Sequence, residues 1–182
     1  MKKISLFLLS VISTICFSQT TITQEDLLNT LKPSLENALT FKKYKEVYAR
    51  SANAGEVIKT YTKDGLETQN IAKQGDYVVK NTTDAKEMYI LTETKFNARY
   101  IFKSKLDDVW GIYSPIGKIK VLQVNDELLK KLNISDDTFY IMASWGEKMI
   151  VKKNDFLVSP LSINEVYRIA NHEFFETYTL DK

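Results

Sequence analysis

Residues 74–100 read QGDYVVKNTTDAKEMYILTETKFNARY, and residues 153–178 read KNDFLVSPLSINEVYRIANHEFFETY. With one gap near Asp84 the two stretches align end to end. Asp76 meets Asp155, Val79 meets Val158, Glu87 meets Glu165, Tyr89 meets Tyr167, Phe96 meets Phe174 and Tyr100 meets Tyr178. Positions between them keep their character, as in Tyr77 with Phe156 and Leu91 with Ile169. Self-similarity of this kind marks a repeated structural unit. Each copy reads as a turn, a strand, a polar break, a second strand and a short helix. Gly75-Asp76 and Asn154-Asp155 supply the opening turns. Phe96 with Tyr100, and Phe174 with Tyr178, stand one helical turn apart.

Working outward, Val57–Tyr61 alternates as a strand, and Lys118–Val124 opens the second unit as another. Asn125 caps a short helix through Leu132, and Thr138–Trp145 is β-prone. Upstream, Thr23 can cap a helix over residues 23–41, with Leu27, Leu31, Leu35 and Leu39 on one face. Pro33 either kinks that helix or starts a second one. The sequence thus predicts an α+β fold. It has two related small units of short antiparallel strands and short helices, preceded by an N-terminal helix. The expected divisions are a signal peptide at 1–18, a helical segment at 19–41, a first unit at 42–102, a connector at 103–117 and a second unit at 118–182.

Lys2, Lys3, an apolar run from Leu6 to Phe17 and Ser18 before Gln19 have the layout of a secretory leader. The run is short for a membrane span. Export, to the periplasm or beyond, is the expected localisation, with no span left after cleavage. Ile15 before Cys16 disfavours lipidation. Cys16 is the one cysteine, so neither a disulfide nor a cysteine metal site is expected in the mature chain. Loss of Lys2 and Lys3 leaves 23 basic against 23 acidic residues. That balance gives no basic surface for nucleic acid.

The segments 118–132 and 149–178, together with Gly75–Tyr100, resemble a group of small phage-encoded proteins of unknown function. Members of that group close on a stretch like GDYIIKG…GEFYPCKPDIFEKTYE. Gly75-Asp76-Tyr77 is also similar to the motif of proteins named for PGDYG. Asn154 replaces the motif glycine in the second copy, and Lys86 and Asn164 replace the glycine before the glutamate. The resemblance implies a small α+β domain and no activity.

Candidate chemistry is sparse. Asp76 and Asp155, with Gly75 and Asn154, read as turn-holding residues. Glu87 and Glu165 share a strand face with Tyr89 and Tyr167. A cleft between units lined by Tyr77, Tyr89, Phe156 and Tyr167, with Glu87 and Glu165 beside them, would form a ligand platform. His172 is the one histidine, and no metal or cofactor is expected. The expected function is therefore non-catalytic binding of an envelope or secreted protein, or of a glycan. The alternatives are a hydrolase of cell-wall or other glycans using carboxylates alone, and a structural component of an envelope assembly.

Overall fold

The computed structural model describes residues 20–63 and 65–182, and the expected leader lies outside them. β1 (Thr21–Ile22) runs into α1 (Gln24–Glu36), which is capped by the Thr23 hydroxyl accepting from the Asp26 N–H. Leu27, Leu31 and Leu35 on α1 are fully buried, while Leu39 falls beyond the helix and is exposed. β2 (Thr40–Lys43) follows.

The first unit continues with β3 (Val47–Ser51), a hairpin of β4 (Val57–Thr62) and β5 (Gly65–Ile71), then β6 (Tyr77–Asn81) and β7 (Met88–Leu91). It closes with α2 (Glu93–Asn97) and β8 (Tyr100–Lys105). β9 (Gly111–Pro115) leads into the second unit. There β10 (Lys118–Gln123), α3 (Asp126–Lys131) and the hairpin of β11 (Thr138–Met142) and β12 (Lys148–Lys152) precede β13 (Phe156–Pro160). β14 (Tyr167–Ile169), α4 (Asn171–Thr177) and β15 (Tyr178–Leu180) end the chain.

This is a β-rich fold, and the expected α+β class is corrected. Among the described residues strands make up 44%, fifteen of them in four sheets, and helix only 19% in four short pieces. The reason is local. The apolar spacing at the C-terminal end of each repeat spans only one or two helical turns. Tyr100 and Tyr178 then leave the helix as the first residues of β8 and β15. The helix expected over 23–41 stops at Glu36, and Thr40–Lys43 is a strand. The expected connector at 103–117 contains the end of β8 and all of β9.

Two five-stranded sheets carry the repeat, in the orders β7-β6-β3-β9-β8 and β14-β13-β10-β2-β15. Each position of one sheet has its counterpart in the other. Tyr77 of β6 sits opposite Ser51 of β3, and Phe156 of β13 sits opposite Gln123 of β10. Val47 of β3 pairs with Tyr113 of β9, and Ile119 of β10 pairs with Phe41 of β2. The fourth strand is therefore exchanged. β2 directly precedes β3 but joins the sheet of the second unit, and β9 directly precedes β10 but joins the sheet of the first. Where the two connecting segments pass each other, the Lys43 N–H at the end of β2 donates to the Gly117 carbonyl between β9 and β10 at 3.4 Å. The Tyr44 N–H donates to the Thr177 carbonyl at 2.9 Å, and at the equivalent point Ile116 donates to Arg99 at 2.8 Å.

Each sheet wraps its own aromatic core. Tyr77 stacks on Phe96 at 4.1 Å between ring centroids, and Phe156 stacks on Phe174 at 3.9 Å. Tyr113 from the exchanged β9 meets Phe96 edge-on, and Phe41 from the exchanged β2 tilts against Phe174. A third core gathers α1, α3, β11 and β12 around Leu31, Phe139, Ile141 and Val151. β1 adds to it by pairing in parallel with β11.

Candidate binding site at the junction of the two units

The opening turns of the two units are built alike. Gly75 (φ +88°) and Asn154 (φ +74°) take the left-handed conformation, which suits glycine and next best asparagine. One oxygen of Asp76 accepts the Lys73 N–H at 2.8 Å, and one oxygen of Asp155 accepts the Lys152 N–H at 2.8 Å. Asp155 also takes the Arg168 Nε at 2.8 Å. Arg168 is wholly buried, and its other arm reaches Glu67 of β5 in the first unit at 2.8 Å. Burial pushes the Glu67 carboxyl up, against the opposing pull of Arg168.

The hairpin of each unit reaches across to the helix of the other. The Lys63 N–H, at the β4–β5 turn, donates to Glu173 of α4 at 3.1 Å. Ser144, at the β11–β12 turn, lies 3.4 Å from the Lys95 ammonium on α2. Lys95 and Glu173 are equivalent residues of the two repeats, so the embrace is reciprocal.

Of the six platform residues expected from sequence, the structure brings Tyr89, Tyr167 and Glu165 to the region between units. Tyr77 and Phe156 face their own cores. Glu87 is buried and accepts the Thr83 hydroxyl. The Tyr89 hydroxyl lies 2.8 Å from that of Tyr100. The Lys43 ammonium from exchanged β2 donates to Tyr100 at 3.0 Å and to Asn81 at 2.7 Å. Burial drives the Tyr89, Tyr167 and Tyr178 hydroxyls above their ordinary pKa, so they stay neutral. The Arg99 guanidinium lies over the Tyr167 ring at 5.5 Å.

Glu165 is the hub of this junction. It receives Lys95 at 2.5 Å, Arg99 at 3.0 Å and the Ser144 hydroxyl at 2.5 Å. Burial works to raise its pKa. The bonds from Lys95 and Ser144, with the charges of Lys95 and Arg99, outweigh burial and hold it below the usual carboxylate range. Beside the hub lies Trp145, 44% exposed, with the Lys95 ammonium 5.9 Å from its ring. An open indole face next to fixed charged groups can take a flat apolar surface and orient polar groups around it.

Sequence reasoning missed Lys43, Lys95, Arg99, Ser144 and Trp145. Two signals were present. Lys95 and Arg99 are four residues apart and both basic, and Trp145 is a large apolar residue in a Gly-containing turn.

No family model, curated protein or solved structure matches this chain. Among the described residues, no helix is long and apolar enough to cross a membrane.

Proposed function

We propose that this is an exported, non-catalytic binding protein whose contact surface centres on Trp145 at the junction of the two units. The exposed indole beside the Lys95–Glu165–Arg99 network carries the reading. Trp and Arg are the side chains that most often dominate binding energy when they are held in a fixed setting. The four duplicated acids support the non-catalytic part. Asp76 and Asp155 hold turns, Glu87 takes Thr83, and Glu165 is enclosed by donors. A hydrolase working through these acids needs one of them protonated and free to donate, and Glu165 is held anionic. The partner is an envelope or secreted macromolecule, protein or glycan.

The test is affinity capture from native envelope and culture fluid with residues 19–182, beside the variant Trp145→Ala. Saturable capture by the parent, reduced at least about tenfold in the variant, is the expected result for a binding hot spot. Equal capture by both removes Trp145 as the contact. A second reading, a component of an envelope assembly, is favoured by the edge strand β8, which exposes Ile101 (57%) and Phe102 (56%).

A further inference from the structure

The junction equivalent to the Trp145 site has the opposite chemistry. In the Trp145 junction, the acid from the β13–β14 loop, Glu165, is met by cations from α2. In the other junction, the β6–β7 loop offers Asp84, and α4 offers His172 and Glu176 where α2 has Thr94 and Ala98. Helix and loop both bring ligand-type groups, and the arginine of the first junction, Arg99, is replaced by Thr177.

We propose that Asp84, His172 and Glu176 form a binding site for a divalent transition cation of the zinc type, tying the first unit's loop to the second unit's helix. His172 and Glu176 stand at i and i+4, so they project from one face of α4. The His172 Nε2 lies 3.5 Å from a Glu176 oxygen and 3.9 Å from an Asp84 oxygen. The three ligand atoms all lie within 4.8 Å of one another. Nitrogen and oxygen ligands about 2.0–2.1 Å from zinc stand about 3.3 Å from each other, so only a small contraction closes the site. The other Glu176 oxygen accepts the Asp84 N–H at 3.3 Å, which steers the two carboxylates to the same side.

One imidazole and two carboxylates suit a borderline cation, and three protein ligands leave positions for water. Two carboxylates with a neutral imidazole match its charge. Lys63, whose ammonium lies 3.7 Å from Asp84 and is half exposed, is the present counter-ion and competes with the metal.

The experiment is calorimetric titration of the chelator-treated protein with zinc chloride, paired with visible absorption on titration with cobalt(II). One equivalent of zinc and a cobalt d–d band are expected. Both should be lost in His172→Ala and in Glu176→Gln. Lys63→Ala should bind zinc more tightly than the parent, a gain that nonspecific surface binding does not give. Asp84 and His172 are exposed and Glu176 is partly buried, and circular dichroism checks that the variants fold. Absence of saturable uptake at one equivalent, or unchanged uptake in His172→Ala, overturns the proposal.

Discussion

The exchange of β2 and β9 makes a specific claim about cooperativity, and Phe96→Ala tests it. Phe96 is 2% exposed and lies in the core of the first unit only, against Tyr77, Tyr100 and Tyr113. Truncating a buried phenylalanine costs about 3–5 kcal/mol. With a urea slope of about 2 kcal/mol per molar, a loss of about 4 kcal/mol moves the midpoint down by about 2 M. If the units were independent, only the first would shift. They are not, because Tyr113, which packs on Phe96, lies on a strand running straight into β10. Melting the first sheet frees β9 and also β3, whose short link holds β2 in the second sheet.

The two tryptophans give the assay. Trp110 lies just before β9 with Arg50 over its ring, and Trp145 lies in the β11–β12 turn. In a Trp145→Phe background fluorescence reports the first unit, and in a Trp110→Phe background it reports the second. Phe96→Ala is expected to lower both midpoints by the same amount. A fall confined to the Trp110 signal would show that exchange does not couple the units, and the reasoning fails.

Two further outcomes follow from burial and charge. Arg168→Met leaves Glu67 and Asp155 without the guanidinium between them and should cost about 3–5 kcal/mol at neutral pH, measured by urea unfolding. The folded-state pKa of Glu67 is already raised by burial and rises further without Arg168, so the folded state binds the proton more tightly than the unfolded chain. That contribution is present below the unfolded pKa and is lost as pH climbs through the folded one. The deficit should therefore be smaller at pH 4.5 than at pH 7.5, and a pH-independent deficit counts against the burial argument. For the edge strand, sedimentation velocity across a concentration series should show association that Phe102→Lys abolishes. A monomer at every concentration removes the assembly reading of β8.

The likeness of residues 74–100 to 153–178 stands out in the sequence because both stretches are built from residues with fixed jobs. A left-handed turn needs glycine or asparagine, the following Asp must take the turn's N–H, and the stacked pair Tyr77–Phe96 or Phe156–Phe174 must be aromatic. The first half of each unit was not legible because its strands have different surroundings. Val47 and Ile119 are equivalent and remain apolar, but Lys43 answers to Pro115 and Tyr48 to Lys120. Pairing with a strand from the other unit leaves no local periodicity to read. The class was misjudged for a related reason. Apolar residues three and four apart over a single turn are compatible with a helix that ends at once in a strand. The candidate site was half visible. Tyr89, Tyr167 and Glu165 were found through duplication, whereas Lys95, Arg99 and Trp145 occur in one copy only and so left no internal echo.

That asymmetry is where function can enter a duplicated fold. The two exchanged links are tied at equivalent points, Tyr44 to Thr177 at the end of α4 and Ile116 to Arg99 ahead of β8, and the Lys43 N–H donates to the Gly117 carbonyl between them. The chain's single cysteine is Cys16, so no intramolecular disulfide can share this task. Because the crossing carries the geometry, side chains at the junctions are free to differ. At one, Lys95 and Arg99 neutralise Glu165 and leave Trp145 open to a partner. At the other, the equivalent helix turns His172 and Glu176 toward Asp84. The same scaffold thus presents a cationic, aromatic junction and an anionic, metal-ligand junction on one molecule. A substitution that disrupts the crossing should damage both junctions together, whereas Trp145→Ala and His172→Ala should each leave the other junction's binding intact.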